Sequence, residues 1–391
     1  MIFMYAEQQT PEADFLKKVF SAYYQNNFID SVPDIQFREF GFGIFKKKIA
    51  NRNLAFSSAD EMNSFLRTNN PMFFSYSNAY YKFPARTPMQ DKQLFKADII
   101  YEFDADELGL HVPEINGIQW FDLSHLNEAK NQVFRLLDFL EKDFNFSTDG
   151  LSINFSGKAG FHIHLRGKEI QALNKKARIE LVDYLTAQNL DYVNLGFDLE
   201  ALSCPFGKGL WQKRILLGIK NFFEKSPKEI SLLTGFQPRK ISSLTKDKKA
   251  IENALEKGVL MPLDGRKSAE FWRKVLDFAV SSQKIPIDRQ TSIDMHKIIR
   301  VPQTLHGDTG FVAKSLSVDE LKKFNPFDDA VVFDEKFAKQ FGLEKVRVLV
   351  SSAPNFSLLG QSFGPFENSV EELPLFAAVY LIGRGVGVLK Q

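Results

Sequence analysis

Apolar and polar positions along the first half of the chain repeat with two different periods. Four stretches place apolar residues three or four positions apart, which predicts amphipathic helices at 11–27, 57–70, 124–144 and 174–189. Other stretches are continuously apolar or alternate in single steps, which predicts strands at 34–45, 72–84, 97–106, 151–155 and 160–165. Helices and strands therefore follow one another, as in an α/β protein.

The pattern changes between about residues 205 and 280, where the chain reads as helical and basic. From Pro205 to Val275 there are 16 Lys and Arg against 7 Asp and Glu, although the whole chain carries only +2. Strand-like segments return at 284–290, 297–306, 311–316 and 345–351, and a last helix is predicted at 369–385. We therefore expect a discontinuous α/β (α+β) core, residues 1–204 and 281–391, with residues 205–280 inserted as a basic helical subdomain.

Composition limits the partners and the setting of the chain. Because 50 Lys and Arg nearly balance 48 Asp and Glu, an anionic partner is expected only at the basic segment, whose lysines could equally form a solvated surface. The single cysteine, Cys204, excludes a disulfide framework and a cysteine-rich zinc site. The sequence has neither a signal-peptide pattern nor a long apolar stretch, so we expect a cytoplasmic protein with no membrane partner.

Two aspartates stand two residues apart in "IIYEFDADE", at the end of an apolar segment. Side chains of a strand alternate between its faces, so Asp104 and Asp106 are expected to point the same way. Two neighbouring carboxylates repel each other, and a cation between them offsets that cost. The pair is therefore a candidate metal site.

A glycine turn in "SGKAGFHIHL" is a candidate anion site. The turn after Ser156 can present a hydroxyl and backbone N–H groups to a phosphate, and Lys158 adds a positive charge. His162 and His164 are expected to share one face of the following strand. The same H-x-H spacing also suits a metal site or a structural pair.

A second group lies in "DRQTSIDMHKIIRVPQTLHGDTG". Arg300 and a protonated His306 are candidate phosphate ligands, and Asp288 or Asp294 can supply a third acid. Each residue alone also has an ordinary structural explanation. Taken together, three acids, a Ser-Gly turn and several cations are the parts that phosphoryl transfer with two divalent ions requires.

These motifs as a set resemble those of the catalytic small subunits of archaeal and eukaryotic DNA primases, the archaeal members most closely. In chain order they are "REFGF", "RNLAF", "SYSNAYYKFP", "EFDADEL", "LLDFLEKDF", "SGKAGFHIHL", "HKIIRVPQTLHGDTG" and "ELPLFAAVYLIGRG". They extend essentially from end to end. The resemblance implies the archaeo-eukaryotic primase fold, with mixed sheets around an active-site cleft.

The resemblance also implies roles for individual residues. Asp104, Asp106 and Asp288 would be the catalytic carboxylates that hold two Mg²⁺ or Mn²⁺ ions, with Asp294 as the rival of Asp288. The residues implied to contact the incoming nucleotide are Ser156, Lys158, His162, Arg300, His306 and Arg52.

Function and partners follow from the same resemblance. It implies a nucleotidyltransferase of the primosome that makes primers on a single-stranded DNA template from nucleoside triphosphates. It also implies a heterodimer with a large primase subunit that carries an iron–sulfur domain, and a location at the nucleoid. The alternatives are a primer-extending repair or plasmid polymerase of the same superfamily, a metal-dependent phosphohydrolase, and an inactive nucleic-acid-binding scaffold.

Two departures from the family pattern are visible. Many relatives follow the aspartate pair with a cysteine/histidine zinc module, whereas residues 108–126 contain no cysteine, so no structural zinc is expected. We expect Trp120 and Phe121 to hold this segment instead, by packing against the 124–144 helix. Ala159 stands where some relatives have a second basic residue, so one phosphate contact is expected to be missing or supplied elsewhere.

Overall fold

The structure is a computed structural model that describes residues 10–147, 150–207, 209–263 and 267–390. The α-helices of these residues are α1 Pro11–Asn26, α2 Ala59–Asn69, α3 Leu123–Phe144, α4 Lys168–Gln171, α5 Lys175–Leu185, α6 Leu210–Phe223, α7 Pro227–Thr234, α8 Pro238–Leu244, α9 Lys248–Glu256, α10 Ser268–Gln283, α11 Arg289–Ile293, α12 Val318–Lys323, α13 Pro326–Asp329, α14 Glu335–Phe341 and α15 Leu375–Arg384.

Strands lie mainly before α6 and after α11. They are β1 Phe40–Ile44, β2 Lys47–Leu54, β3 Phe73–Ser77, β4 Ala79–Tyr81, β5 Leu94–Ala97, β6 Ile99–Asp104, β7 Glu114–Ile115, β8 Ile118–Gln119, β9 Leu151–Phe155, β10 Gly160–Leu165, β11 Ile298–Arg300, β12 Lys314–Leu316, β13 Val346–Ala353, β14 Phe356–Leu358, β15 Gln361–Phe363, β16 Phe366–Leu373 and β17 Gly387–Leu389. This mixture confirms the predicted α+β class.

Side-chain caps fix the start of several helices. Ser58 accepts a hydrogen bond from the backbone N–H of Glu61 at the start of α2. Asp122 accepts one from the N–H of His125 at the start of α3, and the His125 ring accepts one in return from the N–H of Asp122. Such caps satisfy the N–H groups that have no partner within the helix.

Two four-stranded antiparallel sheets carry the core of the larger part of the chain. The first sheet has the strand order β11-β3-β1-β2, and the second has the order β12-β9-β10-β6. Every residue of β3 and β10 is buried, which their continuous apolar runs predict. The ring of Tyr76 in β3 stacks on that of His164 in β10, with 5.8 Å between centroids, so these two strands face each other.

A buried charge network ties the first sheet to the second. The Asp98 carboxylate, which is inaccessible to solvent, accepts hydrogen bonds from Arg38 at 2.8 Å, Gln171 at 2.8 Å, Tyr80 at 3.0 Å and Arg166 at 3.2 Å. Arg38 is equally inaccessible and its guanidinium lies 3.4 Å from the centre of the Tyr80 ring. A buried charge is tolerated only when it is paired in this way.

The C-terminal region forms a third antiparallel sheet, β16-β13-β17, and the apolar helix α15. All residues of α15 from Leu375 to Gly383 are buried. Among the helices described, none combines the length and the apolar character that crossing a membrane requires.

The chain divides into two compact units. One comprises the residues up to Glu141, Asn145–Ile179 and the residues from Ile287 onward. It contains the three sheets above and three two-stranded sheets, β4-β5, β7-β8 and β14-β15. The other comprises Lys142–Phe144 and Glu180–Pro286 and is helical. The predicted insertion, 205–280, falls within this second unit, which extends further at both ends; Lys208, Asp264 and Arg266 of the basic segment lie outside the described residues.

Close helix packing holds the second unit together. A Cβ atom on Gly218 of α6 would come within 2.8 Å of Ala279 in α10, so only glycine lets these helices approach so closely. Phe222, Phe271 and Trp272 are buried between the same helices. The apolar spacing of this segment therefore reflects a helical core of its own.

Several predicted strand boundaries are wrong. Residues 34–45 begin with a 3-10 turn at Ile35–Phe37 before β1, and residues 72–84 form two strands, β3 and β4, in different sheets. The segment 284–290 is not a strand but leads into α11. The N–H of Ile285 donates to the Leu185 carbonyl, and Pro286, which has no N–H, cannot continue such pairing.

The predicted last helix, 369–385, is also too long. Residues up to Leu373 belong to β16, Pro374 follows, and α15 begins at Leu375. The alternation in "FENSVEEL" is that of a strand with one exposed face, and proline is favoured at the start of a helix. The two-residue period of the strand therefore ends, and the period of the helix begins, at Pro374.

Candidate active site

A cavity of about 270 Å³ lies in the larger unit, where strands of the first and second sheets meet. Seven of the nine site residues predicted from sequence line it: Asp104, Asp106, Ser156, Lys158, His162, Arg300 and His306. Its other lining residues are Lys48, Ile49, Ser75, Glu102, Ala159, Ile298 and Ile299. The two predicted residues outside this lining are Asp288 and Arg52.

One side of the cavity is acidic. Strand β6 ends at Asp104, so Asp106 lies in the following turn rather than on the strand, contrary to the prediction from strand alternation. Both carboxylates nevertheless line the cavity, because the N–H of the buried Ala105 bonds to the Ala159 carbonyl and fixes the turn. A Cβ atom on Gly160, the partner of Asp104 in β10, would lie 1.9 Å from the Asp104 carboxylate, so this position requires glycine.

The acidic side destabilises its own negative charge. Burial, together with the charges of Glu102, Asp106 and Glu107, raises the pKa of Asp104 to about 7. The positive charge of Lys48 opposes this shift but does not cancel it. A hard divalent cation would offset the repulsion, so the chemistry of these oxygen donors fits Mg²⁺ or Mn²⁺.

The sequence interpretation missed Glu102, which stands two residues before Asp104 on β6. Its carboxylate pairs with the Lys297 ammonium and lies 3.5 Å from Nε2 of His162. Alternation along "YEFD" places Glu102 on the same strand face as Asp104 and could have identified it. Burial lowers the pKa of His162 to about 4, so this ring is neutral at pH 7 although it lies beside an acid.

Asp288 and Asp294 lie beside different groups. The Asp288 carboxylate accepts a hydrogen bond from the N–H of Gln290 at 2.9 Å, and its charge contributes to raising the pKa of Glu107 on the acidic side. Asp294 accepts one from the N–H of His296, and its charge acts on Tyr81 instead. Of the two candidates, Asp288 is therefore the neighbour of the acidic group.

Within the described part of the chain, no three His, Cys, Asp or Glu side chains are arranged as a group that could hold a metal ion. The acids at the cavity thus have suitable chemistry, but they do not form a closed ligand set.

The glycine turn between β9 and β10 lies on the other side of the cavity. The Ser156 hydroxyl accepts hydrogen bonds from the N–H groups of Lys158 and Gly160, at 3.4 and 3.2 Å. Gly157 has a φ of +86°, a conformation that favours glycine. The Thr309 hydroxyl donates to the Gly157 carbonyl at 2.6 Å and so joins this turn to the loop that follows β11.

Arg300 supplies a half-buried positive charge at the end of β11. Its guanidinium lies 5.2 Å from the centre of the Phe73 ring and donates to the Leu305 carbonyl at 3.4 Å. Burial lowers the pKa of Arg300 to about 10, so it remains protonated at neutral pH.

His306 is neutral, contrary to the expectation of a protonated ring. Burial lowers its pKa well below the usual value, and the charges of Arg300, Lys158, Lys48 and Arg384 lower it further. Its Nδ1 atom accepts a hydrogen bond from the N–H of Asp308 at 3.1 Å, which leaves the proton on Nε2. His306 can therefore offer a neutral N–H donor.

Two further cations near these residues were not identified from sequence. Lys48 lines the cavity from β2, and the charge of Arg384 in α15 acts on Lys158 and His306. The Arg384 guanidinium lies 5.0 Å from the centre of the Trp120 ring. A lysine run and a helix-terminal arginine are common surface features, and their sequence gave no sign of this placement.

Arg52 belongs to a neighbouring ion-pair group. Its guanidinium lies 2.9 Å from the buried Glu39 carboxylate, which also pairs with Lys92 at 3.0 Å. Arg52 additionally donates to the His296 carbonyl at 3.4 Å. Arg52 therefore contacts Glu39 and His296 and does not line the cavity.

The segment that replaces a zinc module is held by aromatic and polar contacts. Phe121 packs against Leu126 of α3, as predicted, and beside Ala105. The aromatic partners of Trp120 lie elsewhere: its ring is 6.0 Å from that of Phe356 in β14 and 6.2 Å from that of Tyr380 in α15. The prediction for Trp120 was wrong, since these partners are more than 200 residues distant in sequence.

Comparison with known proteins agrees with the resemblance seen in the motifs. The family model described as DNA primase small subunit matches residues 122–318. The chain is 30% identical to the DNA primase small subunit PriS of Methanosarcina barkeri, with 96% of each chain covered. It is likewise 30% identical to PriS of Methanothrix thermoacetophila, with 96% of this chain and 98% of the relative covered, and to PriS of Archaeoglobus fulgidus, with 95% and 97% covered.

These similarities extend over nearly the whole of each chain, so they concern the complete fold rather than one motif. The resemblance to archaeal primase subunits is thereby confirmed. The chain belongs to the DNA primase small-subunit family, whose members are DNA-directed nucleotidyltransferases.

Proposed function

We propose that this chain synthesises primers on a single-stranded DNA template by two-metal nucleotidyl transfer, as the catalytic subunit of a primase. One observation carries the proposal: Asp104 and Asp106 line the same cavity as Lys158 and Arg300. Nucleotidyl transfer needs acids that bind metal ions next to cations that bind a triphosphate. Membership of the primase family supports the reaction, and the cavity supports its location.

In this proposal Asp104, Asp106 and Asp288 hold Mg²⁺ or Mn²⁺. Carboxylate oxygens are the ligands these ions prefer, and the raised pKa of Asp104 reflects burial together with nearby negative charge, both of which a bound cation would offset. When bound, the ions would neutralise phosphate charge and lower the pKa of an attacking hydroxyl.

The other cavity residues would hold the triphosphate. Arg300 offers a half-buried guanidinium, and Lys158 offers an ammonium on the turn that begins at Ser156. His306 would donate its Nε2–H as a neutral group, and His162 is also neutral. Arg52 remains a nucleotide-binding candidate that would have to exchange its contact with Glu39 for one with the nucleotide.

The substrates are a single-stranded DNA template and nucleoside triphosphates, of which two would be joined to start a primer with release of pyrophosphate. We infer that the partner is a large primase subunit with an iron–sulfur domain, in a heterodimer that acts at the nucleoid. The relatives' designation as small subunits supports such a partner. No structural zinc is expected in this chain, because it has one cysteine.

One assay separates this function from its alternatives. The purified protein is incubated with a primer-free poly-pyrimidine template, Mn²⁺ and labelled nucleoside triphosphates. Products made without a primer are expected. Extension only of an added primer would instead indicate a repair or plasmid polymerase, phosphate release a phosphohydrolase, and template binding without turnover an inactive scaffold.

A further inference from the structure

Asp308 places a carboxylate among the cations on the phosphate side of the cavity. Its Oδ2 atom lies 3.5 Å from the Lys158 ammonium, and both side chains are about one-quarter to one-third exposed. Its charge also favours the protonated form of Arg300, which shows that the carboxylate acts on both cations. The Asp308 carboxylate thus lies where the negatively charged triphosphate is proposed to bind.

The backbone around Asp308 holds this carboxylate in place. Its N–H donates to Nδ1 of His306 at 3.1 Å, and the neighbouring Thr309 hydroxyl donates to the Gly157 carbonyl at 2.6 Å. On the other side, a Cβ atom on Gly383 of α15 would come within 3.0 Å of the Asp308 backbone. With the loop packed from both sides, the pair separates by rotation of the Asp308 or the Lys158 side chain rather than by movement of the Asp308 backbone.

We propose that Asp308 sets the affinity of the site for triphosphate and pyrophosphate, by occupying Lys158 when no phosphate is bound and repelling phosphate when one is. This inference rests on the proposed nucleotide site and identifies one of its determinants. Binding exchanges the Lys158–Asp308 pair for a Lys158–phosphate pair, so part of the electrostatic gain is lost. The same exchange in reverse helps pyrophosphate to leave.

The test compares wild type with Asp308→Asn, which keeps the side-chain shape and removes the charge. Binding of ATP and of inorganic pyrophosphate is measured by calorimetry with Mg²⁺ present, and pyrophosphate inhibition is measured during primer synthesis. Both ligands are expected to bind about two- to fivefold more tightly to the variant, a range typical of a partly exposed charge pair. The KM for nucleotide falls, while the affinity for the template is unchanged.

Two controls make the result specific. Asp319→Asn removes an exposed carboxylate from α12 that pairs with Lys322, and it should leave both affinities unchanged. In a Lys158→Ala background the gain from Asp308→Asn should shrink, because part of it acts through Lys158. If Asp308→Asn folds poorly, Asp308→Ser removes the same charge and gives the same test.

The outcomes separate this inference from the function on which it rests. If wild type binds both ligands and Asp308→Asn binds them equally or more weakly, the role of Asp308 is refuted. If wild type binds neither ATP nor pyrophosphate, the nucleotide site itself is refuted.

Discussion

The Nδ1 atom of His306 accepts a hydrogen bond from the backbone N–H of Asp308, 3.1 Å away, so a backbone contact sets the tautomer of this ring. With Nδ1 occupied as an acceptor, the proton resides on Nε2, and burial together with the neighbouring cations keeps the ring neutral. A histidine that sequence alone presents as a possible cation is thereby a neutral hydrogen-bond donor.

Arg300 and His306 should therefore contribute unequally to nucleotide binding. Arg300→Ala removes a charged contact, worth about 1.5–3 kcal/mol, and should weaken binding of a nucleoside triphosphate about ten- to hundredfold. His306→Ala removes a neutral contact of about 0.5–1.5 kcal/mol and should cost about two- to tenfold. Calorimetry with ATP and Mg²⁺ measures both effects.

His306→Gln is the matched control, since glutamine also offers a neutral N–H donor. It should retain more affinity than His306→Ala. A loss for His306→Ala as large as that for Arg300→Ala, or equal losses of template and nucleotide affinity, would contradict these assignments.

The three proposed metal ligands should be needed for nucleotide addition but not for folding. Asp104→Asn, Asp106→Asn and Asp288→Asn should each abolish primer synthesis, because each removes a charged oxygen donor. None should lower the melting temperature in a metal-free buffer, since losing a carboxylate relieves repulsion. Primer synthesis and thermal unfolding, with and without Mn²⁺, provide the measurements.

Asp294→Asn serves as the comparison for the third ligand, because Asp294 lies beside Tyr81 rather than beside the acidic group. It should keep most of the activity. An inactive Asp294→Asn together with an active Asp288→Asn would reverse the choice between them.

The buried Arg38–Asp98 pair should contribute strongly to stability. Asp98→Ala leaves the inaccessible Arg38 without its carboxylate partner, and breaking such a pair costs about 3–5 kcal/mol of unfolding free energy. Urea denaturation measures this change. The more exposed pair Lys96–Asp34, 3.0 Å long, is the control, and Asp34→Asn should cost less than about 1 kcal/mol. Equal costs would mean that Asp98 is not the essential partner of Arg38.

The buried histidines should make the protein less stable below about pH 6.5. Burial and the charges of Arg166, His162 and Arg38 hold the pKa of His164 well below its usual value. The unfolded chain therefore binds a proton near pH 6.5 that the folded chain does not bind until a lower pH. The stabilisation from keeping His164 neutral is complete above pH 6.5 and is lost progressively as the pH falls.

His164→Phe keeps a ring against Tyr76 but removes the titrating group. Between pH 6 and 5, its unfolding free energy should fall less steeply than that of wild type, by about 1.4 kcal/mol per pH unit. Urea denaturation at several pH values gives the slopes. Parallel slopes would show that His164 takes up its proton equally in both states.

The basic helical segment should contact the template backbone. Lys246, Lys248 and Lys249 are exposed, and Lys248 has an exposed partner, Glu224, at 2.9 Å. If they bind phosphates, reversing all three to glutamate should flatten the dependence of log affinity on log salt by about 0.7 per lost contact. The test is a salt titration of binding to single-stranded DNA.

The control is the reversal of Lys322 and Lys323 in α12 to glutamate, which lowers the net charge in a different part of the molecule. It should flatten the slope less. An unchanged slope for the first variant would return its lysines to the role of a solvated surface.

The parts of the site that could be predicted are those encoded within short segments. Asp104 and Asp106 stand two residues apart, and Ser156, Lys158 and His162 lie on one hairpin, so local geometry alone brings each set together. Even there, Asp106 reaches the cavity from a turn, because pairing with β10 ends at Asp104.

The rest of the site depends on tertiary contacts that no local pattern encodes. Lys48, Arg384 and Asp308 come from a strand, a helix end and a loop that are distant in sequence. Burial, followed by nearby charges that include those of Lys48 and Arg384, keeps His306 neutral, and Asp308 is the partner of Lys158. The wrong prediction for Trp120 has the same cause, since its observed partners, Phe356 and Tyr380, follow it by more than 230 residues.

The ribosome synthesises this protein from its N-terminus, so the first sheet cannot be completed until its last strand in sequence, β11, has been made. β3 pairs with β11, so Ser77 meets Ile298 only after the intervening helical unit has left the ribosome. Until then β3 has an unpaired edge made of the apolar sequence "FFSYS", which can bind other chains. A nascent chain therefore passes through a long interval in which it is both inactive and prone to aggregate, and its yield should depend on chaperones more than its final stability suggests.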